Sequence, residues 1–131
     1  MTGLDTNVLV RYIMQDDPAQ ASRASKLVES LSAENPGFVA LVSVVELVWV
    51  LGSCYELRRA QLSAAIEGLL RAKELELERA ETVWKAVRLY RGSAADFADC
   101  LIERSAAAAG CARTMTFDRS AAKSCGMSLI H

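Results

Sequence analysis

Histidine is almost missing from this chain: among 131 residues the only one is His131, the last. Chemistry built on an internal imidazole base is therefore excluded. Cysteines at metal-binding spacing are missing too. Cys54, Cys100, Cys111 and Cys125 form no C-x-x-C pair, so a Cys/His zinc site is not expected. No apolar run reaches the roughly 20 residues of a membrane span, and the N-terminus lacks the apolar core of a signal peptide. A cytoplasmic chain with free thiols and no membrane contact is the expectation. Positive charge is not in excess either: 15 Lys and Arg face 16 Asp and Glu, for a net charge of −1. A general nucleic-acid-binding composition would be strongly basic. Any RNA contact must come from a local patch or an oligomeric surface, for which Arg11, Arg58, Arg59, Arg88, Arg91, Arg113, Arg119 and Lys123 are available. The Gly-rich phosphate and dinucleotide motifs are absent as well. So are internal repeats, low-complexity segments and interdomain linkers.

What is present is a chain rich enough in apolar residues, 52%, to fold as one ordinary domain over residues 1–131. A domain near this size buries about two thirds of its unfolded surface and needs no staple. Helical patterns alternate with short β-rich runs, which predicts an α/β layer fold. The spacing predicts a strand over Thr2–Leu4 and a helix from Thr6 to about Met14. Asp17 as cap and Pro18 at the first turn open a helix to about Ala33. Phe38-Val39-Ala40-Leu41-Val42 reads as a strand buried on both faces. Ser43-x-x-Glu46 has the capping-box pattern and predicts a helix to about Cys54. Further helices are expected over Arg59–Ala72, Ala80–Tyr90 and Asp96–Ala109, the last stopped by Gly110. Leu75–Glu78 and Ala112–Phe117 read as strands, Asp118 begins a short helix, and Ser128–Ile130 is an edge strand.

Acidic residues recur at the junctions of these elements: Asp5, Glu46, Asp99 with Asp96 beside it, and Asp118. Singly, each has a structural explanation. Asp5 and Asp118 precede helices as N-caps, and Glu46 and Asp96 each lie three residues after a serine. Asp99 shares a helix face with Asp96, where two like charges repel unless a cation or a proton intervenes. Together they say more. In a parallel α/β sheet, strand-to-helix junctions gather at one edge, where ligands bind. Carboxylates gathered there need a compensating cation, or some of them must be protonated. All-oxygen ligation without His or Cys favours Mg²⁺ or Mn²⁺, which can activate water and stabilise charge on a phosphate.

Leu4-Asp5-Thr6-Asn7-Val8-Leu9-Val10-Arg11 resembles the opening motif of PIN-domain nucleases, and of VapC-type toxins in particular. The resemblance continues through Ser43-Val44-Val45-Glu46-Leu47-Val48-Trp49-Val50-Leu51, Ala95-Asp96-Phe97-Ala98-Asp99-Cys100-Leu101-Ile102 and Thr114-Met115-Thr116-Phe117-Asp118. It implies a single-domain PIN-like fold, a parallel sheet between helical layers (α/β/α). It further implies Mg²⁺ or Mn²⁺, endoribonuclease activity on single-stranded or structured RNA, and a toxin held by a cognate antitoxin. A homodimer, and a heterotetramer or larger assembly with the antitoxin, belong to the same implication. Asp5, Glu46, Asp99 and Asp118 match the catalytic and metal-binding acids. Asp96 is a supporting acid, and Thr6, Asn7, Ser43 and Thr116 match supporting polar positions. Gly3, where a larger apolar residue is usual, departs from the pattern. The alternatives are a PIN nuclease of RNA processing without a toxin role, an inactive interaction domain, and a metal-binding phosphoacceptor module. The phosphoacceptor module would want paired acids after the first strand, where this chain has Thr6-Asn7. Trp49 and Trp84 could stack bases, but apolar core or interface packing is the preferred reading.

Overall fold

The computed structural model describes residues 1–131. The chain falls into two compact units, Met1–Ala80 and Glu81–His131.

The first unit carries β1 (Thr2–Gly3), α1 (Thr6–Met14), α2 (Pro18–Glu29), β2 (Gly37–Val39), α3 (Leu41–Ser53), α4 (Arg59–Arg71) and β3 (Leu75–Leu77). The strands form one sheet in the order β1-β2-β3, all parallel, with Gly3 opposite Phe38 and Phe38 opposite Glu76. Parallel neighbours require helical crossovers, and the helical stretches between the strands supply them. Leu9, Val39, Val44, Leu47, Leu51 and Ile66 are its most deeply buried side chains. Gly37 opens β2 where space is short. A Cβ there would stand 2.8 Å from Cδ1 of both Leu4 and Leu31, so the crowding leucines account for glycine.

Local chemistry sets most of the ends. Asp17 accepts a hydrogen bond from Gln20 N–H and Pro18 occupies the first turn of α2. That helix ends at Glu29, earlier than the expected Ala33, because the Ser30 hydroxyl donates to the Leu27 carbonyl and the chain turns. The junction of β2 and α3 departs further from the sequence reading. The strand stops at Val39, Ala40 is the extended residue before α3, and the helix begins at Leu41. The expected Ser43–Glu46 capping box does not form. The Leu41 N–H is instead capped by Glu78 Oε1 at 2.8 Å, from a residue just past β3.

The second unit holds α5 (Ala80–Arg91), α6 (Phe97–Ala108), β4 (Met115–Thr116), α7 (Arg119–Cys125) and β5 (Ser128–Leu129). β4 and β5 pair in parallel, with Met115 opposite Ser128. The fourth strand is much shorter than the expected Ala112–Phe117. Val83, Ala86, Val87, Phe97 and Cys100 are buried, and the rings of Tyr90 and Phe97 meet edge-on at 5.6 Å. α6 ends as read, with Gly110 at φ 95° in the left-handed region that glycine adopts without penalty. The fold class is α/β with parallel strands, as expected. No helix is long and apolar enough to cross a membrane.

Candidate active site

In the first unit the chain leaves β1 at Leu4 and enters α1 at Thr6, which fixes Asp5 at the junction. Asp5 is the N-cap of α1, and its Oδ1 accepts the Thr6 N–H at 2.8 Å. Glu46 sits in the second turn of α3, on the face that carries Ser43. Because its capping role has passed to Glu78, the Glu46 carboxylate has no structural duty at that helix start. Asp5 and Glu46 line one cavity of about 430 Å³ with Thr6, Asn7, Arg11 and Tyr55. Thr6 is 5% exposed, yet its Oγ1 is buried with no hydrogen-bond partner. Leaving such a hydroxyl unmet costs about 1–3 kcal/mol. A bare hydroxyl beside Asp5 therefore suits a site that receives ligand oxygens or water.

One feature of this cavity escapes the sequence. Arg11, Asp16 and Tyr55 form a closed triangle. Arg11 Nη1 donates to Asp16 Oδ1 at 3.2 Å and to the Tyr55 hydroxyl at 3.1 Å, and that hydroxyl donates to Asp16 Oδ2 at 2.8 Å. Arg11 Nε is held by Gln20 Oε1 at 2.7 Å. The hydrogen bond from Tyr55, and then the Arg11 charge, hold the Asp16 carboxyl below its ordinary range. The same bond to Asp16 pushes the Tyr55 hydroxyl up. Tyr55 lies 44 positions from Arg11 in sequence, so no local pattern announces the pairing.

In the second unit, Asp96 occupies the N-cap position of α6 with extended backbone. Its side chain makes no capping hydrogen bond, contrary to the expectation of a simple cap. Asp99 follows in the first turn and is half-buried. Asp118 is the N-cap of α7, and its Oδ1 accepts Ser120 N–H at 2.8 Å and Ala121 N–H at 3.4 Å. Thr116 shapes that turn by accepting the Asp118 N–H at 3.0 Å. Partial burial, then the charges of Asp96 and Asp118, push the Asp99 carboxyl above its ordinary range. Burial, then the charges of Asp99 and Glu103, push the Cys125 thiol up as well. The three aspartates thus share one negative field within this unit.

Within each unit no group of three or more His, Cys, Asp or Glu residues forms a cluster that could by itself hold a metal ion. The donors are all hard oxygens, and their chemistry fits Mg²⁺ or Mn²⁺ rather than zinc or copper. Asp99, crowded by like charge, and Thr6, with its unmet hydroxyl, are the two observations that match such a group.

Parallel strands joined by helices, with Asp5 and Asp118 at the helix starts after β1 and β4, define an α/β protein. The PIN domain family model matches residues 4–126, and the chain belongs to that family. The family implies a nuclease-type function. No curated protein matches the chain.

Proposed function

We propose that this chain is a divalent-metal-dependent endoribonuclease and the toxin of a toxin–antitoxin pair. The observation that carries the nuclease chemistry is Asp99, a half-buried carboxylate raised by burial and by two neighbouring aspartates. Such a group gains most from a cation. By the match to the family's motif blocks, Asp5, Glu46, Asp99 and Asp118 are the acids assigned to Mg²⁺ or Mn²⁺, with Asp96, Thr6, Asn7, Ser43 and Thr116 in support. A bound divalent ion supplies a water poised for attack and neutralises charge on the phosphate. The chain's own contribution is orientation. The Thr6 N–H and the N-terminal dipole of α1 hold the Asp5 carboxylate, and two backbone N–H groups of α7 hold Asp118. Asp99 is the inner ligand of the adjacent pair, and Asp96 adds negative potential.

The toxin role rests on the resemblance of the four motif blocks, and a housekeeping RNA-processing nuclease is the second reading. A homodimer is favoured by the exposed apolar side of α3, where Val42 is 73% and Trp49 65% exposed. Cleavage of single-stranded RNA by the purified chain tests the chemistry. Activity with Mg²⁺ or Mn²⁺, abolished by EDTA and restored by excess metal, is expected. Full cleavage after all metal is stripped overturns the mechanism. Expression with and without the protein encoded next to it tests the toxin role. Unchanged growth arrest in the presence of that neighbour removes the antitoxin from the proposal.

A further inference from the structure

A second cavity of about 450 Å³ lies in the first unit, lined by Asn7, Val8, Arg11, Gln20, Arg23 and Ala24 among others. Its size falls in the range of about 300–1,000 Å³ that holds small ligands. It shares two wall residues, Asn7 and Arg11, with the cavity that carries Asp5 and Glu46. The two cavities are therefore consecutive along α1. The first is lined by two carboxylates as well as Arg11; the second is lined by Arg11, which is ion-paired with Asp16, and by Arg23, with no carboxylate in its wall.

The guanidinium of Arg11 is not free to swing. Gln20 holds Nε, and Asp16 with Tyr55 hold Nη1, which leaves Nη2 as its unused edge. Arg23, one turn further along α2 from Gln20, is exposed and makes no hydrogen bond or ion pair. Val8, Ala24 and Leu27 give the same cavity an apolar wall. The unpaired Arg23 and the open Nη2 edge of Arg11 can meet a phosphate, and the aliphatic wall beside them offers a base an apolar surface. Resting on the nuclease reading above, we propose that this cavity seats the nucleotide next to the scissile phosphate of a single-stranded RNA. Arg11 and Arg23 meet its phosphate. Continuity with the acidic cavity, through the shared Asn7 and Arg11, selects this occupant over an acidic protein segment, because a strand cut there carries a phosphate at every step. The shared Asn7–Arg11 wall continues the path.

The test is RNA binding by the full chain in EDTA, where cleavage is silent. The probe is a fluorescently labelled oligouridine of about 12 nucleotides, followed by anisotropy across a salt series. Arg23→Ala is expected to weaken binding about 3- to 10-fold and to reduce the slope of log K against log[salt] by about 0.7, one phosphate contact. Arg23→Glu should weaken it further, and Arg23→Lys should retain most of it. Melting temperature should not move, since Arg23 has no partner to lose. Unchanged affinity and slope in both Arg23→Ala and Arg23→Glu overturn the proposal. So does an Arg23→Glu protein that binds RNA normally but no longer binds an acidic peptide or the neighbour-encoded protein. The two readings fail separately. Wild-type chain that binds the oligouridine through Arg23 but cuts no RNA with Mg²⁺ or Mn²⁺ keeps the subsite and removes the nuclease. Chain that cuts RNA regardless of Arg23, with binding unaltered, does the reverse.

Discussion

The acids of the two units live under different electrostatics. Asp5 and Glu46 are exposed, line a cavity that also holds Arg11, and sit beside an orphan hydroxyl. Asp99 is half-buried among its own kind, with Asp96 and Asp118 raising it and no cation among the causes. The first set faces solvent in a cavity. In the second, burial and neighbouring aspartates make ionisation of Asp99 costly. The contrast teaches that acids alike in sequence context can stand in different surroundings: one open beside a cation, the other half-buried among like charges.

The largest test of this contrast is activity. Asp99→Asn is expected to leave less than about 1% of wild-type single-turnover cleavage, since an amide oxygen binds a hard cation poorly. Glu46→Gln should also abolish cleavage while the protein stays folded, because Glu78 rather than Glu46 holds the helix start. Asp96→Asn should lose only on the order of 10–100-fold, as for residues that act through a ligand. Near-normal cleavage by Glu46→Gln would return Glu46 to a purely structural role.

Stability separates the acids next. Asp118→Ala removes two backbone hydrogen bonds at a helix start and should cost about 1 kcal/mol in chemical denaturation. Asp96→Ala, with no capping bond to lose, should cost much less. Equal losses would mean that Asp96 caps α6 in solution.

Asp99→Asn should work in the opposite direction. Its folded carboxyl is raised, so ionisation costs stability as pH rises between the unfolded value, about 3.9, and the raised folded value. Removing the ionisable group should raise the melting temperature of metal-free protein by a few degrees at neutral pH. It should also flatten that part of the stability curve. A lower melting temperature for Asp99→Asn would show that the carboxylate is stabilised in the apo fold.

The smallest effect belongs to the Arg11–Asp16–Tyr55 triangle. Asp16 is held low, so its contribution is present above the unfolded value of about 3.9 and is lost as pH falls through the lower folded value. Tyr55→Phe should move the Asp16 titration up toward the ordinary range, measured by NMR on the carboxyl carbon. The stability change should be slight, because the group is solvent-exposed. An Asp16 titration unchanged in Tyr55→Phe would assign the shift to Arg11 alone.

Much of the local structure is legible along the chain. The D-T-N opening places Asp5 where extended chain becomes helix. Asp17-Pro18, Asp118 and Gly110 mark helix ends through their own backbone chemistry, so they are legible locally. The same short-range rules give the α/β alternation and the acidic set. Tertiary structure decided what local rules could not. Ser43-x-x-Glu46 is a valid capping pattern, yet Glu78, 37 positions away, reaches Leu41 first and starts the helix two residues earlier. Asp96 stands at a cap position without capping, which no local pattern announces. The Tyr55–Asp16–Arg11 triangle joins three segments that no periodicity relates. In each case the deciding partner is close in space and remote in sequence, and only the folded chain brings the two within hydrogen-bonding distance.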